Sequence, residues 1–224
     1  DQRVCENFEQ ELDVAVDQNT KLIGVTAITG QQIKYALQVT RILKKKYPAI
    51  PLVWGGVHAT LVPEQTASHP LVDYCIVGDG DYIFCELYER LRDGKSVENL
   101  RGLIYKSSVG DVKSNAGELE LKPVARGDSF VVIRKNGATD VIRDLDELPE
   151  LPYHLLSIDK YSVFFSEHGR KSVTMNTSRG CPFRCKFCSD PALNDGKWRG
   201  FSAGRVLEKI DSLYREHDVK MFYF

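Results

Sequence analysis

The sequence predicts an α/β protein whose first region, residues 1–100, contains a parallel sheet. Three short apolar runs are predicted to be buried strands, at residues 22–28, 52–54 and 72–77. Amphipathic segments separate these runs, and the loops between strand and helix are short. This alternation is typical of parallel strands joined by right-handed crossovers.

Four segments of this first region are predicted to be helices. Residues 6–18 place apolar side chains among acidic ones, and residues 33–46 repeat apolar positions at helical spacing. Pro63 and Glu64 mark the start of a short third helix, because proline suits the first helical position. Residues 83–91 carry apolar side chains at helical spacing and predict the fourth.

The second half of the chain changes character, and its elements follow from local composition and spacing. They are, in order, a strand over 102–106, a polar stretch from Ser107 to Gly127, a strand over 130–134, an acidic proline-bearing linker over 144–152, a short helical turn within 153–161, a strand over 172–177, a helix over 200–216 capped by Ser202, and a strand from Val219. The predicted domains are the sheet domain 1–100, a linker with a β-hairpin over 101–152, and an incomplete β-α-β portion over 153–224.

Composition excludes several classes of protein. A formal charge of −1 and the absence of a long basic tract argue against a nucleic-acid partner. No apolar stretch approaches ~18 residues, so no transmembrane segment is expected. Three of the six cysteines are clustered rather than dispersed in pairs, which indicates a reducing compartment, and we expect a cytoplasmic protein.

Glycine and small residues follow all three strands of the first region. These segments are residues 26–30, 55–60 and 78–81. Ligands of parallel α/β sheets bind beyond the carboxyl ends of the strands, and glycine lets a large ligand approach the backbone closely. Each segment alone is also typical of an ordinary turn, and His58 alone could be a loop histidine that binds no ligand. Three such segments at one sheet edge predict a ligand site.

The strand over 172–177 runs into a loop with the cysteine spacing C-x3-C-x2-C. Cys181, Cys185 and Cys188 are three close thiols that can hold a soft metal or an iron–sulfur cluster and leave one coordination position open. The alternatives are a loop of free thiols, or a zinc site completed by a distant ligand such as His168 or His217. The loop follows the first strand of a β-α-β unit, where the catalytic groups of α/β barrels lie.

The remaining three cysteines are isolated in the sequence. Cys5 and Cys85 have no cysteine near them, and Cys75 lies within the apolar run at 72–77. A single cysteine in a buried strand usually packs as a small apolar residue. We therefore expect Cys75 to be a core residue.

The cysteine loop, residues 179–188, resembles the signature of radical S-adenosylmethionine (SAM) enzymes. Residues 54–60, 63–64 and 73–81 resemble the Rossmann-like, flavodoxin-like cobalamin-binding domain that is fused to one branch of that superfamily, and the linker from Asp144 is similar to that branch. The resemblance covers nearly the whole chain. It implies a cobalamin-binding domain followed by the start of a TIM-type barrel.

The resemblance also implies the cofactors and their ligands. Cys181, Cys185 and Cys188 would hold a 4Fe–4S cluster that binds SAM and cleaves it, and Phe187 would lie near the adenine. An external one-electron reductant and a small-molecule substrate would be the partners. The residues expected to contact cobalamin are those of the three strand ends, namely Thr26, Thr29, Gly30, Gly55, Gly56, His58, Ala59, Thr60, Gly78, Asp79 and Gly80.

The resemblance implies methylation of an unactivated carbon in a natural-product or cell-envelope intermediate. The alternatives are a radical SAM cyclase or oxidoreductase whose cobalamin domain is vestigial or serves other chemistry, and, in a different class, a zinc-binding structural module. Compared with that family, we expect the first strands of the cobalamin domain and most of the barrel to lie outside this sequence. We therefore expect the 224-residue chain to be a fragment that does not turn over by itself.

Overall fold

The computed structural model describes residues 5, 7–108, 123–126, 129–137, 139, 141–156, 158–162 and 170–224. The chain divides into two units. One is Gln10–Val141, and the other is Ile142–Phe224 together with the first nine residues. Most of the predicted polar stretch from Ser107 to Gly127, and the histidine His168, lie outside the described residues.

The described helices and strands of the first half follow the predicted alternation. They are α1 (Phe8–Ala15), β1 (Ile23–Thr26), α2 (Gln31–Lys46), β2 (Leu52–Gly55), α3 (Val57–Leu61), α4 (Pro63–Ser68), β3 (Tyr74–Ile76), α5 (Asp81–Arg92), β4 (Leu103–Ser108), β5 (Pro123–Arg126) and β6 (Ser129–Lys135). Short α3 and β5 are the exceptions, because residues 55–60 were predicted to be a loop and β5 lies within the predicted polar stretch from Ser107 to Gly127.

Strands β1 to β6 form one mixed sheet in the order β1-β2-β3-β4-β6-β5. The pairs β1–β2 and β2–β3 are parallel, as predicted, while β3–β4, β4–β6 and β6–β5 are antiparallel. The predicted hairpin thus continues the sheet instead of standing apart from it. Leu103, Ile104 and Tyr105 are consecutive residues of β4, and all three are buried. Since neighbouring side chains of a strand point to opposite faces, both faces of β4 are covered, as expected for an inner strand of the sheet.

The core of this unit surrounds the parallel strands. Val53, Ile76, Leu87 and Leu103 pack on one side of the sheet. Trp54 packs with Ala36 and Val72 in another cluster. Its indole Nε1 donates a 3.1 Å hydrogen bond to Thr40 Oγ1, which satisfies both buried polar groups. This core fixes the strand ends that were predicted to face a ligand.

The described elements of the second unit include a parallel β-α-β arrangement. They are a 3₁₀ turn (Tyr153–Leu155), α6 (Ile158–Ser162), β7 (Ser172–Thr174), β8 (Ser178–Arg179), α7 (Asp190–Asn194), β9 (Arg199–Gly200), α8 (Ala203–Glu216) and β10 (Met221–Tyr223). Strands β7 and β10 are parallel neighbours, and α8 connects them in sequence. Ile158, Met175, Leu213 and Val219 form the buried core. The barrel start and the domain boundaries stay predictions.

The predicted linker contacts the amino end of α8. Ser202 caps this helix as predicted, since its Oγ accepts a 3.2 Å hydrogen bond from Arg205 N. Asp146 Oδ1 accepts a 2.9 Å hydrogen bond from Ser202 N, and hydrogen bonds from Ser202 hold the pKa of Asp146 below its usual value. Arg205 donates to Leu148 O at 3.0 Å. Residues 144–150 are therefore part of the second unit's packing.

Among the residues that the structure describes, there is no helix both long enough and apolar enough to span a bilayer.

Candidate cofactor-binding sites

The three predicted loops do meet at the carboxyl edge of the parallel strands. His58 N donates a 3.0 Å hydrogen bond to Ala27 O, which joins the loop after β1 to the loop after β2. Gly78 N donates a 3.1 Å hydrogen bond to Thr60 Oγ1, which joins the loop after β3 to α3. Parallel strands place these ends side by side, and the cross-links hold them as one surface.

Thr29 and His58 lie together on this surface. Thr29 Oγ1 and His58 Nδ1 are 3.3 Å apart, with Thr29 exposed and His58 half-buried at the start of α3. Neither residue belongs to the apolar core. The pair offers a hydroxyl and an imidazole to a ligand that settles on the edge.

The glycines at this edge have different reasons to be glycine. Gly56 has φ +87°, and a Cβ there would lie 2.5 Å from Thr26 Oγ1, so the packing of the loops requires it. Gly78 has φ +86°, and its Cβ would lie 2.9 Å from Thr139 Cγ2. A Cβ on Gly55 would meet only Ile76 Cβ, at 3.9 Å. The chain's own packing therefore does not require glycine at position 55.

The structure separates the predicted cobalamin contacts into two groups. Ala59 is fully buried and packs with Ala67, Cys75, Ile104 and Ile133, so its side chain faces the core. The Thr60 hydroxyl is engaged with Gly56 O at 2.9 Å and with Gly78 N. All the other predicted residues are at least partly exposed, namely Thr26, Thr29, Gly30, Gly55, Gly56, His58, Thr60, Gly78, Asp79 and Gly80.

Two large apolar side chains at this edge were absent from the prediction. Ile28 follows β1 and Tyr82 lies in the first turn of α5, and both are half-exposed. Ile28 was assigned to the strand because its neighbours are apolar. The sequence feature that could have indicated its exposure is its position beside Thr29 and Gly30. There the strand has already ended, and an apolar side chain has no core to enter.

The cysteine loop is closed at its base by a short antiparallel pair. Strand β8 pairs with β9, so Arg179 lies opposite Arg199 and the chain between them forms the loop. Gly180 has φ +83°, and a Cβ there would collide with the carbonyl oxygen of Lys197. Within the loop, Cys188 N donates a 3.0 Å hydrogen bond to Cys185 O. The base of the loop is tightly packed.

The three thiols of the loop are free and accessible. Cys185 and Cys188 are exposed, Cys181 is half-buried, and none is in a disulfide. Three thiols within eight residues are a suitable donor set for an iron–sulfur cluster. No group of three possible ligands (His, Cys, Asp or Glu) within the described ranges already stands together around a metal position. The thiols fit a cluster by their chemistry, and its binding must draw them together.

The other predicted ligands of the loop lie as follows. Phe187 is 94% exposed, so its ring is available to a ligand and packs on no part of the core. His217, one alternative zinc ligand, follows α8 and its ring lies 6.0 Å from that of Tyr153. His168 lies outside the described residues. Within the described part of the chain, nothing brings a histidine to the three cysteines.

Cys75 is the core residue that the sequence predicted. It is fully buried in β3, and burial raises the pKa of its thiol to about 12. A thiol with such a pKa is not ionised at neutral pH and is a poor nucleophile. The reactive cysteines of the described residues are those at the surface.

We expect alkylation of the native chain to distinguish these cysteines. Cys85, Cys185 and Cys188 should react readily with a neutral alkylating reagent, because they are exposed. In the native chain Cys75 should react at least about tenfold more slowly than the exposed cysteines, and denaturation should remove this difference. Peptide mass mapping gives the rate at each site. Labelling of Cys75 as fast as that of Cys85 would contradict its buried position.

Comparison with known proteins finds similarity in the first region and across most of the chain. Residues 3–88 match the family model of the B12 binding domain. An uncharacterized methyltransferase of Pyrococcus horikoshii, PH0819, is 31% identical over 204 residues, which cover 91% of this chain and 39% of that protein. The anaerobic magnesium-protoporphyrin IX monomethyl ester cyclase of Rubrivivax gelatinosus is 26% identical and is matched over 90% of this chain and 32% of its own length.

A solved structure gives the same fold. The radical SAM methyltransferase TsrM from Kitasatospora setae, solved with cobalamin and a 4Fe–4S cluster bound, superposes with a TM-score of 0.61 at 19% identity, over 96% of this chain and 39% of that one. At this identity the likeness shows the fold, and it confirms the predicted α/β class with its Rossmann-like first domain. The chain spans about two fifths or less of each of these proteins.

Proposed function

We propose, on the premise that this chain is related to the cobalamin-binding branch of the radical SAM enzymes, that it is part of a methyltransferase of that branch. The enzyme would methylate an unactivated carbon of a small molecule, in a natural-product or cell-envelope intermediate. An external one-electron reductant would supply electrons, and the cytoplasm is the expected compartment. The working domains would be residues 1–100, 101–152 and 153–224.

The observation that carries the proposal is the combination of two features in one chain. A B12 binding domain match covers residues 3–88, and three free thiols follow β8 with C-x3-C-x2-C spacing. A cobalamin domain alone serves several chemistries, and three thiols alone fit zinc as well as iron. Together they support a protein that holds a corrin and a cluster.

The residues have separate tasks in this proposal. Cys181, Cys185 and Cys188 would hold the 4Fe–4S cluster and leave one iron open for SAM, while Phe187 would pack against its adenine. When bound, the cluster and SAM supply one-electron chemistry and cobalamin supplies methyl transfer. The chain's own contribution is to bind and orient these groups and to exclude water around them.

At the sheet edge, the backbone rather than charged side chains would make the close contacts with cobalamin. Gly55 leaves room for a flat ligand, and Thr29 with His58 would contact its polar groups. Ile28 and Tyr82 would cover its apolar surface. The edge also carries Thr26, Gly30, Asp79 and Gly80, whose positions suit the same ligand.

A second candidate keeps the cofactors and changes the reaction. The similarity to the Rubrivivax gelatinosus cyclase favours it, because that match covers 90% of this chain, nearly the same part as the methyltransferase match. In a cyclase the same cysteine loop would start the reaction, and no methyl group would reach the product. Mass analysis of the product of the whole enzyme distinguishes the two, since only methyl transfer adds the mass of one methylene.

We expect Gly55→Ala to weaken cobalamin binding without unfolding the chain. The new methyl group meets only Ile76 Cβ in the protein, but it occupies the space that a corrin would need. We expect the dissociation constant to rise about tenfold, which corresponds to ~1.4 kcal/mol. Spectral titration of the chain with hydroxocobalamin measures this constant.

The matched control is Gly204→Ala in α8. Its added methyl group would meet Ser202 Oγ at the same 3.9 Å clearance, and the residue belongs to the second unit. This control should bind cobalamin as the unchanged chain does. Equal affinity of Gly55→Ala and the control would reject the assignment of Gly55, and no binding by the unchanged chain would reject the cobalamin part of the proposal.

A further inference from the structure

We propose that Arg199 is a positioning residue for the third cysteine of the loop, Cys188, and acts on it through Asn194 and Asp190. The inference rests on the proposed function, because it assumes that the loop holds a cluster. Arg199 lies in β9, eleven residues after Cys188, and its hydrogen bonds go to other residues than Cys188. A chain of hydrogen bonds joins the two.

The first link is the buried guanidinium of Arg199. The residue is only 7% exposed, and its two terminal nitrogens point to different acceptors. Nη1 donates a 2.6 Å hydrogen bond to Ile142 O, and Nη2 donates one of 2.6 Å to Asn194 Oδ1. A planar guanidinium with two fixed acceptors holds both at a set distance, which a lysine cannot do. Arg199 therefore links the side chain of Asn194 to the backbone carbonyl of Ile142.

The second and third links run through α7. Asn194 Nδ2 donates a 2.9 Å hydrogen bond to Asp190 Oδ1, one helical turn earlier. Asp190 N in turn lies 3.4 Å from Cys188 Sγ and donates to it. Since Asn194 uses its oxygen toward Arg199 and its nitrogen toward Asp190, its orientation is fixed by two partners. The position of the backbone N–H at Asp190 thus depends on Arg199.

This N–H matters because it points at a sulfur that would ligate iron. Hydrogen bonds to cysteine sulfur raise the reduction potential of an iron–sulfur cluster by stabilising its extra negative charge. Partners beyond the ligands usually hold ligands in position, and their loss costs about 10- to 100-fold in metal affinity. Burying a charged guanidinium costs free energy unless it is hydrogen-bonded. One hydrogen bond of the Arg199 guanidinium goes to Asn194, which is connected through Asp190 to Cys188.

A second observation concerns the side chain of Asp190. Asp190 Oδ2 is buried, yet no described residue makes a hydrogen bond to it. A buried carboxylate oxygen without a hydrogen bond is costly, and the other oxygen of the same carboxylate, Oδ1, accepts from Asn194. The Asp190 carboxylate is therefore kept in place by the Arg199–Asn194 pair, with its position set relative to the loop.

The experiment compares variants of the full chain after anaerobic reconstitution with iron and sulfide. Arg199→Gln removes both guanidinium bonds, and Asn194→Asp keeps the acceptor for Arg199 but removes the donor to Asp190. Arg199→Lys retains the charge and reaches one acceptor only. The control is Arg215→Gln on α8, where the arginine side chain is 73% exposed and forms a 2.7 Å salt bridge with Asp211.

We expect Arg199→Gln and Asn194→Asp to lose iron to a chelator about tenfold faster than the unchanged chain, with Arg199→Lys in between. The control should match the unchanged chain. The cluster that forms in Arg199→Lys, which keeps the charge of the unchanged chain, should have a more negative reduction potential, because the N–H donor to Cys188 Sγ is held less firmly. A merely structural role would lower cluster content without moving this potential.

The outcomes separate the inference from the function on which it rests. If the unchanged chain takes up no cluster, the proposed function fails. If it takes up a cluster, Asn194→Asp matches it in chelator release and Arg199→Lys matches it in potential, the positioning role is wrong. Should Arg199→Gln fail to fold, Asn194→Asp decides, since Asn194 is only half-buried and retains its bond to Arg199.

Discussion

Replacing Cys185 with alanine is expected to abolish cluster binding. The loop offers three thiols, and no fourth cysteine, histidine or carboxylate within the described residues is grouped with them to substitute for a lost ligand. With two thiolates left, iron bound after reconstitution should fall by more than about tenfold. Iron and sulfide analysis, together with the visible absorption, measures the loss.

The control for this prediction is another exposed cysteine. Cys85→Ala removes a surface thiol from α5, in the first unit, and should leave the iron content unchanged. A Cys185→Ala chain that keeps its full iron would show that iron is held elsewhere. Cysteine 185 would then be an ordinary loop residue.

Replacing Gly180 with alanine is expected to disrupt the base of the cysteine loop. Its φ of +83° costs an L-residue about 1–2 kcal/mol, and the new Cβ would also collide with Lys197 O, a backbone atom that cannot rotate away. The pairing of β8 with β9 must then open. We expect faster amide hydrogen exchange over residues 178–200 and a cluster content at least about tenfold lower.

Gly137→Ala is the matched control for Gly180→Ala. Gly137 has nearly the same φ, +79°, but nothing lies within 4 Å of the position that its Cβ would take. The control therefore carries the conformational cost without the collision, and it lies outside the cysteine loop. If both variants exchange equally slowly over residues 178–200, the tight packing at Gly180 does not hold the loop.

The sequence predicted the features that depend on local spacing. Apolar runs located β1, β2 and β3 because buried parallel strands need continuous apolar residues. The capping role of Ser202 was readable because a serine side chain satisfies a nearby helical N–H. The three cysteines stand out because ligands of one cluster are often close in sequence.

Long-range packing explains what the sequence did not predict. The hairpin strands β4 and β6 were predicted, but their attachment to β3 depends on which sheet edge is open. Ala59 was expected at a ligand, and it is buried because residues 57–61 form α3 and direct that side chain to the core. No local pattern indicates such a turn of helix after a glycine pair.

The hydrogen bonds that lead to Cys188 could not be predicted from the spacing of residues in the sequence. Arg199 bonds to Ile142 O across 57 positions of sequence, and Asn194 orients its amide between Arg199 and Asp190. An arginine in a polar segment reads as a surface charge. Its burial follows from the β8–β9 pair, which brings the two ends of the loop together.

The most direct test of this account is anaerobic reconstitution followed by thiol mapping. The chain should gain four iron and four sulfide per molecule, with a broad absorption near ~400 nm. Cys181, Cys185 and Cys188 should then become protected from alkylation, while Cys85 stays reactive. A colourless chain that binds zinc through these cysteines, or one whose three thiols stay reactive after reconstitution, would contradict the proposed cluster.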